Sequence, residues 1–316
     1  MYVGKDVPHD SARGHVTGES LYVDDLPSLP GELLVDFVWS PYAHARVRSI
    51  ELPEHIPGVA GLYTYRDLHH NLLGPILQDE PLLAEDVCTF RGQPIIVIAA
   101  ENHAAVLAAK AAIRIEFEEL TPILTIDDAI AAESFIGPTR TIIRGDADAA
   151  LASAEHVLEG IFVNAGQDHF YLESQAALVY PGEFGALTVH SSTQHPTEVQ
   201  EVIAHLLGLN MSEVVVTTKR MGGAFGGKEA QATHPAAMAS LVAQKLKRPA
   251  RIVYDKDLDM HATGKRHPFE NRYRAGFNRA GEIVALKVDL YSDGGAYADL
   301  SPAVMARALT HVDHAY

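Results

Sequence analysis

The chain has 316 residues, 47% of them hydrophobic and 21% charged, enough to bury one large core or two modest ones. No run approaches the roughly 20 apolar residues of a membrane span, and a formal net charge of −16 argues against unspecific nucleic-acid binding. The single cysteine, Cys88, rules out an intramolecular disulfide and an iron–sulfur cluster, and it reads as a small buried core residue.

In chain order, strands are predicted over 33–38, 45–50 and 59–64. Gln93-Pro94 then opens a buried strand over 95–99, the alanine-rich run 102–112 has helical spacing, and 113–117 alternates as a strand does. A connector with Pro122, Asp127-Asp128 and Gly137-Pro138 follows, which places a division between 1–125 and 126–316. The second part begins with a short helix over 147–154 and a strand over 157–163. The Gly166-Gln167-Asp168 turn leads into 173–180, and an amphipathic helix is predicted over 198–207. Val214-Val215-Val216 precedes a glycine loop and a helix over 230–246, and long strands fall at 269–277 and 283–291. The stretch 299–316 reads as packed and partly helical. Arg251-Ile252-Val253-Tyr254-Asp255 is short and only weakly apolar.

The 17 histidines look like a metal signal but are scattered. The most ligand-like group, His311, Asp313 and His314, has no evident fourth ligand, so surface or polar-network roles are favoured.

The most informative stretch is Met221-Gly222-Gly223-Ala224-Phe225-Gly226-Gly227-Lys228-Glu229. Four glycines in six positions allow positive φ and close backbone approach. Ahead of a helix, such a loop offers amide donors to an anionic cofactor or substrate, where a plain turn would rarely need four glycines. Gly222, Gly227 and Lys228 fit the start of a P-loop, but Glu229 stands where Ser or Thr should hold Mg²⁺. Ala224 in place of the second glycine likewise breaks the dinucleotide fingerprint.

Together with Gly166-Gln167-Asp168-His169-Phe170-Tyr171-Leu172-Glu173, this loop resembles the molybdenum hydroxylases, the xanthine dehydrogenase and aldehyde oxidase family. Further blocks carry the likeness over nearly the whole chain. They include Pro8 to Arg13 with Val16-Thr17-Gly18, and Tyr22-Val23-Asp24-Asp25-Leu26-Pro27. Ser192-Thr193-Gln194-His195-Pro196, Thr263 to Phe269, and Asp299-Leu300-Ser301 before Arg307-Ala308-Leu309 complete the set.

The resemblance implies an α+β fold: a small α/β hammerhead-like domain over 1–125, then the first, incomplete part of a molybdopterin-binding domain over 126–316. It also implies hydroxylation of a purine with molybdopterin as cofactor, the molybdenum being held through the pterin dithiolene and not by side chains. Gln167 would contact the metal's oxo ligand, and Glu229 would orient the substrate. Gly222, Gly223, Phe225, Gly226 and Gly227 would face the cofactor, with Gly223, Phe225 and Gly226 using backbone amides. FAD and 2Fe–2S clusters are expected on a partner chain of a cytoplasmic hetero-oligomer. The family's R-G-F-G-G-P-Q block and base glutamate are absent, so the chain reads as an N-terminal fragment, inactive alone. Each site residue also has an ordinary reading: Gln167 in a solvent-facing turn, Glu229 as a first-turn acid, Phe225 in the core. An aldehyde or N-heterocycle hydroxylase, or a non-catalytic docking module, are the alternatives.

Overall fold

The computed structural model describes residues 3–312. Contacts divide these into two compact units that interleave along the chain. One comprises the residues up to Asn71, Pro81–Glu118 and Phe170–Thr263; the other comprises Leu72–Glu80, Glu119–His169 and the residues from Gly264 onward. Both are built of helices and strands, as an α+β chain requires.

The first unit is organised by a seven-stranded mixed sheet. Its order is Val214–Thr217, Leu187–Ser191, Ala176–Pro181, Ala250–Val253, Leu33–Trp39, Pro94–Ala100, Val59–Tyr63. Alternation in Leu33–Trp39 turns Leu33, Val35 and Phe37 inward, while every residue of Pro94–Ala100 is buried. The Leu33 strand runs parallel to the Ala250 strand and antiparallel to the Pro94 strand. Strands from both sides of residue 125 therefore share one sheet.

The Ala250 strand, weakly apolar by sequence, is central. It tolerates Arg251 because the guanidinium is engaged by Glu32, with Nε 2.7 Å from Oε1, and by the carbonyls of Val23 (3.0 Å) and Leu26 (2.9 Å). On the sheet lies the helix Thr233–Leu246, buried from Thr233 to Ala243. Its alanines let it sit close to the Ala176 and Ala250 strands, and the helix Pro196–Leu207 packs against it. Pro196 opens that second helix, two residues before the predicted start, because proline costs nothing where the amide has no intrahelical partner. The helix His103–Ala112 covers the Pro94 strand; Asn102 caps it by accepting the Ala105 amide. Cys88 is buried.

The second unit carries a three-stranded antiparallel sheet, Ile283–Ser292, Phe269–Phe277 and His156–Asn164, with the helix Ala147–Ser153 packed on it. His156–Asn164 is an edge strand on which Leu158, Ile161, Phe162 and Val163 are all exposed. The predicted helical character near the end appears as Ser301–His311, whereas Asp313 and His314 lie outside the described residues. Among the described residues, no helix is long and apolar enough to cross a membrane.

Candidate functional site

The glycine loop lies in the first unit, between the Val214 strand and the Thr233 helix. It does not feed directly into that helix, which was expected at 230 but starts at Thr233 behind a turn. The helix's free N-terminal amides therefore begin only after the loop has ended, and the loop's own amides are the donors it can offer.

Most of those amides are already committed. The Gly222 amide donates to Glu173 Oε2 (2.7 Å), and the Gly227 amide to the Ala224 carbonyl (2.8 Å). Gln194 Oε1 accepts from both Gly226 (3.1 Å) and Lys228 (3.3 Å). The amide donation expected of Gly226 is thus made within the protein. Among the described residues, the Gly223 and Ala224 amides have no acceptor. Beside them Phe225 is 63% exposed, with φ 55°, a conformation a non-glycine residue adopts only at a cost. Gly223 is required twice over: its φ is 97°, and a Cβ there would lie 3.1 Å from the Phe225 ring and 3.2 Å from Tyr171 Cβ.

Lys228 ends the loop and turns inward. It is fully buried, its ammonium donating to Ser192 Oγ (2.7 Å) and Glu173 Oε2 (3.1 Å) and lying 4.7 Å from the Tyr171 ring centroid. Burial pushes its pKa down and Glu173 opposes the shift. A P-loop lysine must reach a phosphate, and this one is spoken for.

Beneath the loop runs a second buried layer. Tyr171 donates its hydroxyl to Asp259 Oδ1 (2.6 Å), and Gln175 Nε2 donates to Tyr171 Oη and to the Gly227 carbonyl (3.0 Å each). Burial first, then the hydrogen bond and charge of Asp259, raises the Tyr171 phenol well above its ordinary value.

Glu229 is half-buried. Its charge is felt by Glu198, whose carboxyl is raised chiefly by burial, against the lowering effect of His195 at 3.2 Å. The loop residues Gly222, Gly223, Phe225, Gly226 and Gly227 thus come together with Glu229 in one unit. Gln167 belongs to the other unit, where it is exposed and its backbone forms an isolated antiparallel bridge with Arg266. An ion pair between Asp168 and Lys265 (3.1 Å) secures the turn.

Sequence reasoning missed Glu173, Gln175 and Gln194 as loop partners. Glu173 and Gln194 stood inside recognised blocks, and the signal available was chemical: a buried lysine after a glycine loop needs an acid.

The sequence profile of the molybdopterin cofactor-binding domain matches residues 132–316, and that of the aldehyde oxidase and xanthine dehydrogenase a/b hammerhead domain matches 17–121. The chain is 40% identical to xanthine dehydrogenase of Dictyostelium discoideum over 99% of its own length and 23% of that protein's. It is 42% identical to xanthine dehydrogenase 1 of Arabidopsis thaliana, over 99% and 24% respectively. It therefore spans about a quarter of the length of these relatives. Among solved structures, aldehyde oxidoreductase of Desulfovibrio gigas superposes with a TM-score of 0.84 at 26% identity, over 95% of this chain and 36% of that one. Quinoline 2-oxidoreductase of Pseudomonas putida 86 gives 0.82 at 25%, over 94% and 40%.

Proposed function

The chain belongs to the molybdopterin cofactor-binding domain family, with an aldehyde oxidase and xanthine dehydrogenase hammerhead domain ahead of it, and from that premise we propose that it is the cofactor-facing part of a molybdenum-dependent purine hydroxylase. The observation that carries this reading is the donor set of the glycine loop. The Gly222, Gly226, Gly227 and Lys228 amides are satisfied within the protein, and those of Gly223 and Ala224, with no acceptor among the described residues, are left for a ligand. An anionic pterin group fits such a set, because desolvated amides gain most from a charged acceptor.

In this proposal Gly223 donates to the cofactor. Gly222, Gly226 and Gly227 contribute shape, their amides being occupied. Phe225 supplies an apolar wall that excludes competing water. Gln167 is the neutral amide donor to the oxo ligand, suited because it brings no charge. When bound, the molybdenum group supplies the two-electron oxidation by which oxygen from water is added to carbon. Glu229 orients the purine by hydrogen bonding.

The sequence has one cysteine, too few for a 2Fe–2S cluster, so the clusters, and with them FAD, are assigned to other parts of a hetero-oligomeric enzyme. Residues 1–125 serve as wall and docking surface and 126–316 bind the cofactor, in a cytoplasmic setting that one cysteine suits. The likeness to aldehyde and quinoline oxidoreductases supports a second reading, in which the substrate is an aldehyde or N-heterocycle.

Glu229→Ala, made in the enzyme that carries this chain, separates the two readings. A hydrogen bond to a charged carboxylate is worth about 1.5–3 kcal/mol, so kcat/KM for xanthine should fall roughly tenfold or more while simple aldehydes are spared. Equal losses on both classes would reject the purine assignment.

A further inference from the structure

Glu173 makes a connection that no role assigned so far requires. Its Oε2 accepts from the Gly222 amide (2.7 Å), from Ser192 Oγ (2.6 Å) and from Lys228 Nζ (3.1 Å). Gly222 and Lys228 are the two ends of the glycine loop, so one oxygen atom closes the loop at its base. The tie is double, since the Glu173 amide also donates to the Gly222 carbonyl (3.1 Å). A Cβ at Gly222 would stand 2.5 Å from Glu173 Cβ, which shows how closely the two backbones are pressed together.

Stability alone does not account for this arrangement. Replacing a buried ion pair by apolar residues of similar volume is often neutral or stabilising. Here, moreover, Glu173 Oε1 is buried with no partner among the described residues, a further cost. Between the clasped ends sits Phe225 at φ 55°. A strained residue of that kind persists only where its surroundings over-determine it.

We propose that Glu173 is a positioning residue: with Ser192 and Lys228 it clasps the two ends of the glycine loop and thereby holds the Gly223 and Ala224 amides in the arrangement that receives an anionic cofactor. The cofactor half of this statement rests on the proposed function; the clasp does not.

The test compares three variants in the enzyme that carries this chain: Glu173→Ala, Ser192→Ala, and the double variant Glu173→Ala with Lys228→Met. The double variant removes both buried charges together, so its melting temperature should stay near that of the parent even if the single Glu173 variant folds poorly. Hydrogen–deuterium exchange is read at the Gly226 amide and, in the variants that keep Lys228, at the Lys228 amide. These bond to Gln194 and not to Glu173, so a purely local loss at Gly222 would leave them unmoved. The clasp predicts exchange there faster by about tenfold or more in the double variant, and a smaller rise in Ser192→Ala. Molybdenum and released pterin per protein should fall in the same order. Parent-like protection at the Gly226 amide in a well-folded double variant would overturn the clasp. Faster exchange with a full complement of molybdenum and pterin would instead overturn the reading of the loop as a cofactor cradle.

Discussion

Arg251→Met should unlatch the N-terminal segment from the main sheet. Arg251 is 7% exposed and uses its whole guanidinium. Nε and Nη2 meet the two oxygens of Glu32 at 2.7 and 3.2 Å; Nη1 donates to the Val23 and Asp24 carbonyls, and Nη2 to those of Leu26 and Pro27. Methionine fills much of the volume but, among the described residues, leaves Glu32 with the Leu29 amide alone (2.9 Å) and strands the better-bonded carbonyls. Removing one partner of a buried pair costs about 3–5 kcal/mol, most of it the uncompensated charge left behind. In a domain of this size 1 kcal/mol moves the melting temperature by about 2–4 °C, so a drop of roughly 6–20 °C is expected. Differential scanning calorimetry gives the shift, and Glu32→Leu with Arg251→Met completes a double-mutant cycle. The double variant should recover more than about 1 kcal/mol of the single loss, because it buries no unpaired charge. A single-variant loss under about 1 kcal/mol, or strictly additive effects, would refute the idea that this pair and its carbonyls work as one latch.

Two further outcomes follow from the site. Gln167→Ala should leave the melting curve unchanged, since the side chain is exposed, yet lower turnover; normal activity with full molybdenum content would remove Gln167 from the cofactor's surroundings. The Tyr171 phenol is held protonated by burial and by Asp259, so its folded pKa lies above the unfolded value of about 10. The linked stability is complete below pH 10 and is lost as pH climbs beyond it. Tyr171→Phe should therefore flatten the alkaline limb of the stability curve, and a limb of unchanged slope would show that Tyr171 ionises freely in the folded protein.

What could be read from the sequence was local. Alternation predicted the strand found at Arg114–Glu119, and helical spacing predicted the His103 helix within a residue. Glycine density singled out the loop, because no other composition permits φ of 97° at Gly223 so cheaply. What escaped were interactions between distant residues. The Ala250 strand looked weak because Arg251 counts as polar until Glu32 is seen beside it. Lys228, placed by any propensity on the surface, is fully buried because Glu173 and Ser192 await it. The start of the Thr233 helix was missed because the turn at 225–232 contains good helix formers and no capping side chain marks the true boundary. Gln194 was visible as part of a recognised block, but not its task of holding two loop amides.

The parallel pairing of Leu33 with Ala250 has a consequence for how the protein is made. About 210 residues separate the end of the Leu33 strand from its neighbour. At roughly 5–20 residues per second, a ribosome takes on the order of 10–40 s to bridge that interval. Throughout it one edge of the nascent Leu33 strand stays open, and the other is paired only once the Pro94 strand has been made. Such an edge recruits any extended chain nearby. A translational pause placed between residues 40 and 250 prolongs that exposure, and one placed well after Val253 does not. Soluble yield should therefore depend on codon choice between Trp39 and Ala250 far more than beyond Val253.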